Sequence, residues 1–118
     1  MNLGKWGESR AAKYLEDRGF VILQTNFRCR IGEIDIVARE GESLVFTEVK
    51  TRADLLYGLP CEAVTERKQK QLARVAEAYL ATLPRSARVS ADVRLRFDVI
   101  EILIRSGRAW IRHTRDAF

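Results

Sequence analysis

The chain has 118 residues, 47% of them hydrophobic and 31% charged, a make-up that fits one folded domain and excludes a disordered or low-complexity protein. No apolar run reaches the length of a membrane span, and the start, Met-Asn-Leu-Gly-Lys-Trp-Gly-Glu-Ser-Arg, carries charge and glycine where a secretion signal needs an apolar core. Net charge is +5, and residues 51–118 hold the whole excess, because basic and acidic side chains balance over residues 1–50.

These features predict a single domain over 1–118, cytoplasmic and without a membrane partner. Cys29 and Cys61 lie far apart with no CxxC spacing, so reduced thiols are the simpler reading, with one disulfide as the alternative. A basic half beside an acid-bearing half suits a polyanion gripped by one region and worked on by another. A merely solubilising basic surface explains the charge as well.

In chain order, Asn2 can cap a helix running to about Arg18, with Gly19 as its stop. Leu3, Gly7, Ala11, Tyr14 and Leu15 follow helical spacing. Gly4 and Gly7 cost helix propensity and point to close approach by another element or to a loose first turn. Phe20 to Leu23 reads as a strand continuing through Phe27. Glu33 to Ala38 alternates as a second strand, Glu40-Gly41-Glu42-Ser43 turns, and Leu44 to Lys50 is a third. Thr51 to Cys61 is irregular. A second helix follows, capped by Thr65, with the stripe Leu72, Val75, Ala76, Tyr79, Leu80 and Leu83. Pro84 and the run Arg85 to Asp92 end it. Leu95 to Ile104 is a long strand, Ser106-Gly107 a turn, and Ala109 to His113 a last strand. The order αβββαββ implies an α/β fold with helices layered about one mixed central sheet.

The third strand carries the chemistry. Its alternation puts Leu44, Phe46, Glu48 and Lys50 on one face and Val45, Thr47 and Val49 on the other. Charged groups on so apolar a strand are costly unless paired, hydrated or bound to metal. On the second strand Glu33, Asp35 and Val37 share a face, and a hairpin through the turn brings Asp35 near Glu48. Two carboxylates beside a lysine suit phosphodiester cleavage. The acids offer hard oxygen ligands to Mg²⁺ or Mn²⁺, which lowers the pKa of a bound water. Lys50 stabilises charge on the phosphoryl oxygens or orients the nucleophile. The Val49 backbone carbonyl is a further candidate ligand. Glu8 borders the buried stripe of the first helix and can complete the set, although it also reads as a solvated acid favoured by the helix dipole. A plain ion-pair network of Asp35, Glu48 and Lys50 is the competing structural reading.

Gly7-Glu8, Ala11-Ala12, Tyr14-Leu15, Asn26-Phe27-Arg28, Gly32 to Ala38 and Leu44 to Arg52 together resemble the YraN (UPF0102) family. The likeness continues through Gly58, Pro60, Ala63-Val64 and Lys68 to Arg96-Phe97-Asp98-Val99. That family is similar to archaeal Holliday-junction resolvases, so the resemblance implies a restriction-endonuclease-like core with a PD-(D/E)xK metal site. It implies Asp35 and Glu48 as metal ligands, Lys50 as the catalytic lysine and Glu8 as the helix-borne acid. Thr47 stands where the family more often has an aliphatic residue, with its side chain facing away from Glu48.

Around this core, Arg28, Arg30 and Arg52 flank the expected cleft, and Lys68, Lys70 and Arg74 lie on the second helix. All six are candidate nucleic-acid contacts, with solvated surface as the alternative. Asp98 reads as structural support paired with Arg96 or another arginine, with a place near the cleft as the alternative. His113, the lone histidine, lies in a basic tail with no partner at ligand spacing, so neither a zinc site nor a catalytic dyad is expected. Trp6 and Trp110 read as core or interface packing. The resulting expectation is a metal-dependent nuclease on DNA rather than RNA, acting on branched or single-stranded substrate. The alternatives are a non-catalytic nucleic-acid-binding module on the same fold and a structural partner protein. Symmetric incision of a junction would require a homodimer.

Overall fold

The computed structural model describes residues 2–53, 64–84 and 94–118. Its elements are α1 (Leu3–Asp17), β1 (Val21–Arg28), β2 (Glu33–Glu40), β3 (Ser43–Ala53), α2 (Glu66–Thr82), β4 (Arg94–Arg105) and β5 (Arg108–Thr114). This is the αβββαββ order. The strands form one mixed sheet, β1-β2-β3-β4-β5. Neighbours are antiparallel except β3 and β4, which run parallel from Ser43↔Arg94 to Ala53↔Ile104.

Both helix starts follow from their caps. The Asn2 side chain accepts from the Lys5 N–H, and Thr65 Oγ1 accepts from the Lys68 N–H, so each satisfies a donor the first turn leaves open. Past α1, Gly19 takes φ 89°, a left-handed conformation that glycine adopts without a steric penalty.

Each helix covers its own face of the sheet. Ala11 and Leu15 of α1 pack with Phe20, Ile36, Ala38, Val45, Ile100 and Ile102. Leu72, Val75, Ala76 and Tyr79 of α2 pack with Val37, Leu44 and Phe46. The period-2 alternation of β2 and β3 thus feeds two cores, one on each side. Gly7 is the point of closest approach. A β-carbon built there would overlap Thr51 Oγ1, so the glycine lets α1 sit against the far end of β3. Gly4 has no such neighbour from another element.

Several expectations need correction. Thr51 to Ala53 are not irregular; they extend β3, because the parallel partner β4 supplies ladder bonds to Ala53. The remainder of that segment, with Gly58, Pro60, Cys61 and Ala63, lies outside the described residues, as does the run Arg85 to Asp92. The last strand runs one residue past His113, to Thr114. Trp110, on the edge strand, is 41% exposed and is not core.

Candidate active site and nucleic-acid interface

Antiparallel pairing of β2 with β3 is recorded from Glu40↔Ser43 to Ile36↔Thr47, and β3 then continues beside β4. Just past Ile36, the Asp35 carboxylate takes over the role of a ladder partner. Its Oδ2 accepts a hydrogen bond from the Val49 backbone N–H at 2.8 Å. The bond ties Asp35 to the strand that carries Glu48, and both acids line one cleft of about 230 Å³.

That cleft is also lined by Glu33, Val49, Lys68 of α2, and the rings of Phe97 and Phe118. Lys68 is there for a helical reason. It stands four residues before Leu72, at the start of the stripe that packs on the sheet, so its side chain meets the sheet where the core ends and the acids begin. From sequence Lys68 is a candidate nucleic-acid contact and part of the family resemblance; extending the apolar stripe of α2 back by one turn also sets it against the sheet.

Electrostatically the cleft is acid-rich. Asp35 is half-buried, and its pKa is pushed up to about 6, first by burial and then by the carboxylates of Glu8, Glu48 and Glu33, against the opposing pull of the Val49 N–H. Glu8 of α1 is thus near enough to act on Asp35 through space, but it is not among the residues lining the cleft. Lys50 shares the Glu48 face by strand alternation and stands in register with Glu101 of β4, but it is not among the residues lining the cleft.

Among the described residues, no three His, Cys, Asp or Glu side chains converge closely enough to hold an ion unaided. The donor set still fits Mg²⁺ or Mn²⁺. Mg²⁺ keeps several of its waters and commonly takes only one or two carboxylates. Asp35, Glu48 and the Val49 carbonyl are hard oxygen donors, and a cation would offset the burial and the neighbouring acids that together raise Asp35.

Basic residues continue from the cleft. Lys68 also lines an open groove of about 1110 Å³ with Arg30, Arg67, Lys70 and Arg74. Arg28 is exposed and pairs with Glu33 at 3.1 Å. Arg52 departs from the expectation of a phosphate contact. Its side chain is only 14% exposed and sits 3.1 Å from the buried Glu101, which also pairs with Arg112 at 2.8 Å. A guanidinium held there balances an interior charge instead of meeting solvent.

Asp98 meets both readings: it lines the cleft and is also held in ion pairs and hydrogen bonds. Arg96 donates to both of its oxygens, at 2.8 and 2.9 Å, and the Asp116 N–H donates to Oδ1. His113, which has no partner at ligand spacing in the sequence, lies 2.7 Å from Asp98 through Nε2 and 3.2 Å from the Tyr14 hydroxyl through Nδ1. Among the described residues no helix is long and apolar enough to cross a membrane.

A five-stranded mixed sheet between two helices, with acids gathered where β2 and β3 part, is consistent with the restriction-endonuclease-like class of α/β proteins. The chain belongs to the uncharacterised protein family UPF0102, which it matches over residues 7–102. It is 46% identical to a UPF0102 protein of Caldicellulosiruptor bescii over 100% of both chains. It is 50% identical to one of Geobacter sulfurreducens, covering 98% of this chain and 88% of the relative. A third, from Rhodococcus opacus, is 46% identical over 98% of this chain and 95% of its own. The matched span includes Glu8, Asp35, Glu48, Lys50 and Lys68, whereas His113 and Phe118 lie beyond it.

Proposed function

We propose that the protein is a divalent-metal-dependent nuclease that cuts phosphodiester bonds in DNA. The observation that carries this reading is the cleft in which Asp35 and Glu48 meet, entered from a groove with basic walls that shares Lys68 with it. Carboxylates alone would repel a phosphate; carboxylates at the end of a basic track suit a phosphate delivered to a cation.

In this reading Asp35 and Glu48 hold Mg²⁺ or Mn²⁺, the Val49 carbonyl adds a donor, and Glu8 assists through water. The cation, when bound, supplies an acidified water and neutralises phosphoryl charge. The Val49 N–H keeps the Asp35 carboxylate in one orientation, so little reorganisation remains at the moment of reaction. Lys50 stabilises the developing charge, and Lys68 holds the entering phosphate. Arg28, Arg30, Lys70 and Arg74 contact the backbone without reading sequence. Cutting a four-way junction symmetrically would require a homodimer.

The test is incubation with labelled four-way junctions, flaps and single strands in Mg²⁺, Mn²⁺ or chelator. Metal-dependent cutting that is abolished by Asp35→Asn and by Lys50→Ala is the expected result. Binding with no cutting by the wild type would leave a nucleic-acid-binding module. Absence of binding even at low salt would leave a structural protein.

A further inference from the structure

Three phenylalanine rings form a stack that leads from the core into the cleft. Phe46 is 1% exposed and lies parallel-offset to Phe97, with centroids 5.5 Å apart and planes at 28°. Phe97 in turn stacks on Phe118 at 5.0 Å and 24°. Phe97 and Phe118 both line the cleft that holds Asp35, Glu48 and Lys68. The segment bearing Phe118 is tied down by its own backbone: the Ala117 N–H donates to the Phe97 carbonyl at 2.7 Å, and the Asp116 N–H donates to Asp98 at 3.0 Å. The platform is thus fixed before any ligand arrives, which lowers the ordering cost of stacking on it.

From this arrangement we infer that the cleft takes an unpaired nucleobase against the outer face of the Phe118 ring, with Phe97 and Phe46 backing it from behind, which makes single-stranded or flapped nucleic acid the substrate class. The inference rests on the nuclease reading for the role of the adjacent acids. A base inside a duplex has both faces covered by its neighbours, so only an unpaired one can offer a face to a ring. A flat apolar wall alone would admit many planar ligands. Here the wall shares its cleft with Lys68, and Lys68 opens onto the groove of Arg30, Arg67, Lys70 and Arg74. A planar group on the rings with its phosphates along that groove describes a nucleotide strand. It also places a backbone phosphate beside Asp35 and Glu48. The chemistry is common to DNA and RNA, and the rings do not distinguish them.

The experiment measures binding in chelator, where no cutting occurs, using short single strands carrying 2-aminopurine and the matching duplexes. The full chain is used as Asp35→Asn, which relieves repulsion between the acids and the phosphates. Expected are tighter binding of the single strand than of the duplex and quenching of 2-aminopurine on binding. Phe118→Leu, which keeps apolar packing but has no ring, should weaken single-strand binding about tenfold, the size of one lost base stack. It should also abolish the quenching, and Phe118→Trp should restore both. Arg74→Ala should weaken binding while the bound strand stays quenched. Equal binding of duplex and single strand, or unchanged affinity and quenching in Phe118→Leu, would overturn the inference. Stacking without any cutting of single strands by the wild type in Mg²⁺ would defeat the nuclease reading alone. Cutting of duplex substrates with no effect of Phe118→Leu would defeat the stacking inference alone.

Discussion

Asp35 and Val49 are joined by a 2.8 Å hydrogen bond from backbone N–H to carboxylate, made just past the last recorded pairing of β2 with β3. The bond holds a carboxylate where burial and three neighbouring acids disfavour its charge. A carboxylate kept ionised there costs stability.

Asp35→Asn keeps an oxygen to accept from Val49 and removes the charge. Its melting temperature at pH 7 should rise by about 4 °C, equivalent to roughly 1 kcal/mol, while cleavage falls at least about a hundredfold. Asp35→Ala leaves the Val49 N–H without its acceptor and should melt lower than Asp35→Asn by an amount equivalent to about 1–3 kcal/mol. Thermal melts of the three proteins side by side check the order.

Two aspartates drive acid stability in opposite senses. Burial alone would raise Asp98, but the His113 ring, the Arg96 guanidinium and the Asp116 N–H outweigh it and hold the carboxyl down at about 2. That lies below the unfolded value of about 3.9, so the contribution of Asp98 is complete above about pH 4 and is lost as pH falls through about 2. Asp35, at about 6, binds its proton more tightly in the folded protein. Stability therefore declines as pH rises from about 4 to 6. Urea unfolding between pH 2 and 7 should show a flatter acid limb in Asp98→Asn and no decline between pH 4 and 6 in Asp35→Asn.

Much of this site was legible in the sequence because it obeys local rules. Period-2 alternation and the Glu40–Ser43 turn were enough to put Asp35 and Glu48 together, and helical spacing was enough to set Glu8 beside a buried face. What escaped depends on distant chain. Arg52 looked like a cleft arginine because its partner, Glu101, enters only through the parallel β3–β4 pairing. The partners of His113 are not at any local spacing: Asp98 lies across the β4–β5 pairing and Tyr14 is 99 residues away. Phe118 went unread because its stacking on Phe97 needs the chain to fold back after β5.

Gly7→Ala places a methyl group where Thr51 Oγ1 lies. Pushing α1 from β3 should cost about 1–3 kcal/mol, the usual range for overpacking, and should also displace the neighbouring Glu8 from the acids. Combining Gly7→Ala with Thr51→Ala should recover most of the lost stability in denaturant titrations. A double variant no more stable than Gly7→Ala would mean that Thr51 is not what limits the approach.

Arg52 and Lys70 should separate stability from binding. Arg52→Ala removes one of the two arginines paired with the buried Glu101, and because Arg112 remains it should destabilise the fold by about 1–3 kcal/mol. Lys70 is exposed, paired with Glu66 at 3.5 Å, and lines the basic groove. Lys70→Ala should leave unfolding within about 0.5 kcal/mol of wild type. It should weaken oligonucleotide binding and reduce the salt slope by about 1. Fluorescence anisotropy over a salt series, with urea unfolding in parallel, checks both.

The most direct measurement is a Mn²⁺ titration followed by loss of the free-ion electron paramagnetic resonance signal. Wild type and Asp98→Asn should take up the ion alike, whereas Glu48→Gln and Asp35→Asn should lose that uptake together with Mn²⁺-supported cleavage. Uptake by Glu48→Gln equal to wild type, or none by wild type in the presence of an oligonucleotide, would contradict the claim that these two carboxylates hold a cation beside a phosphate.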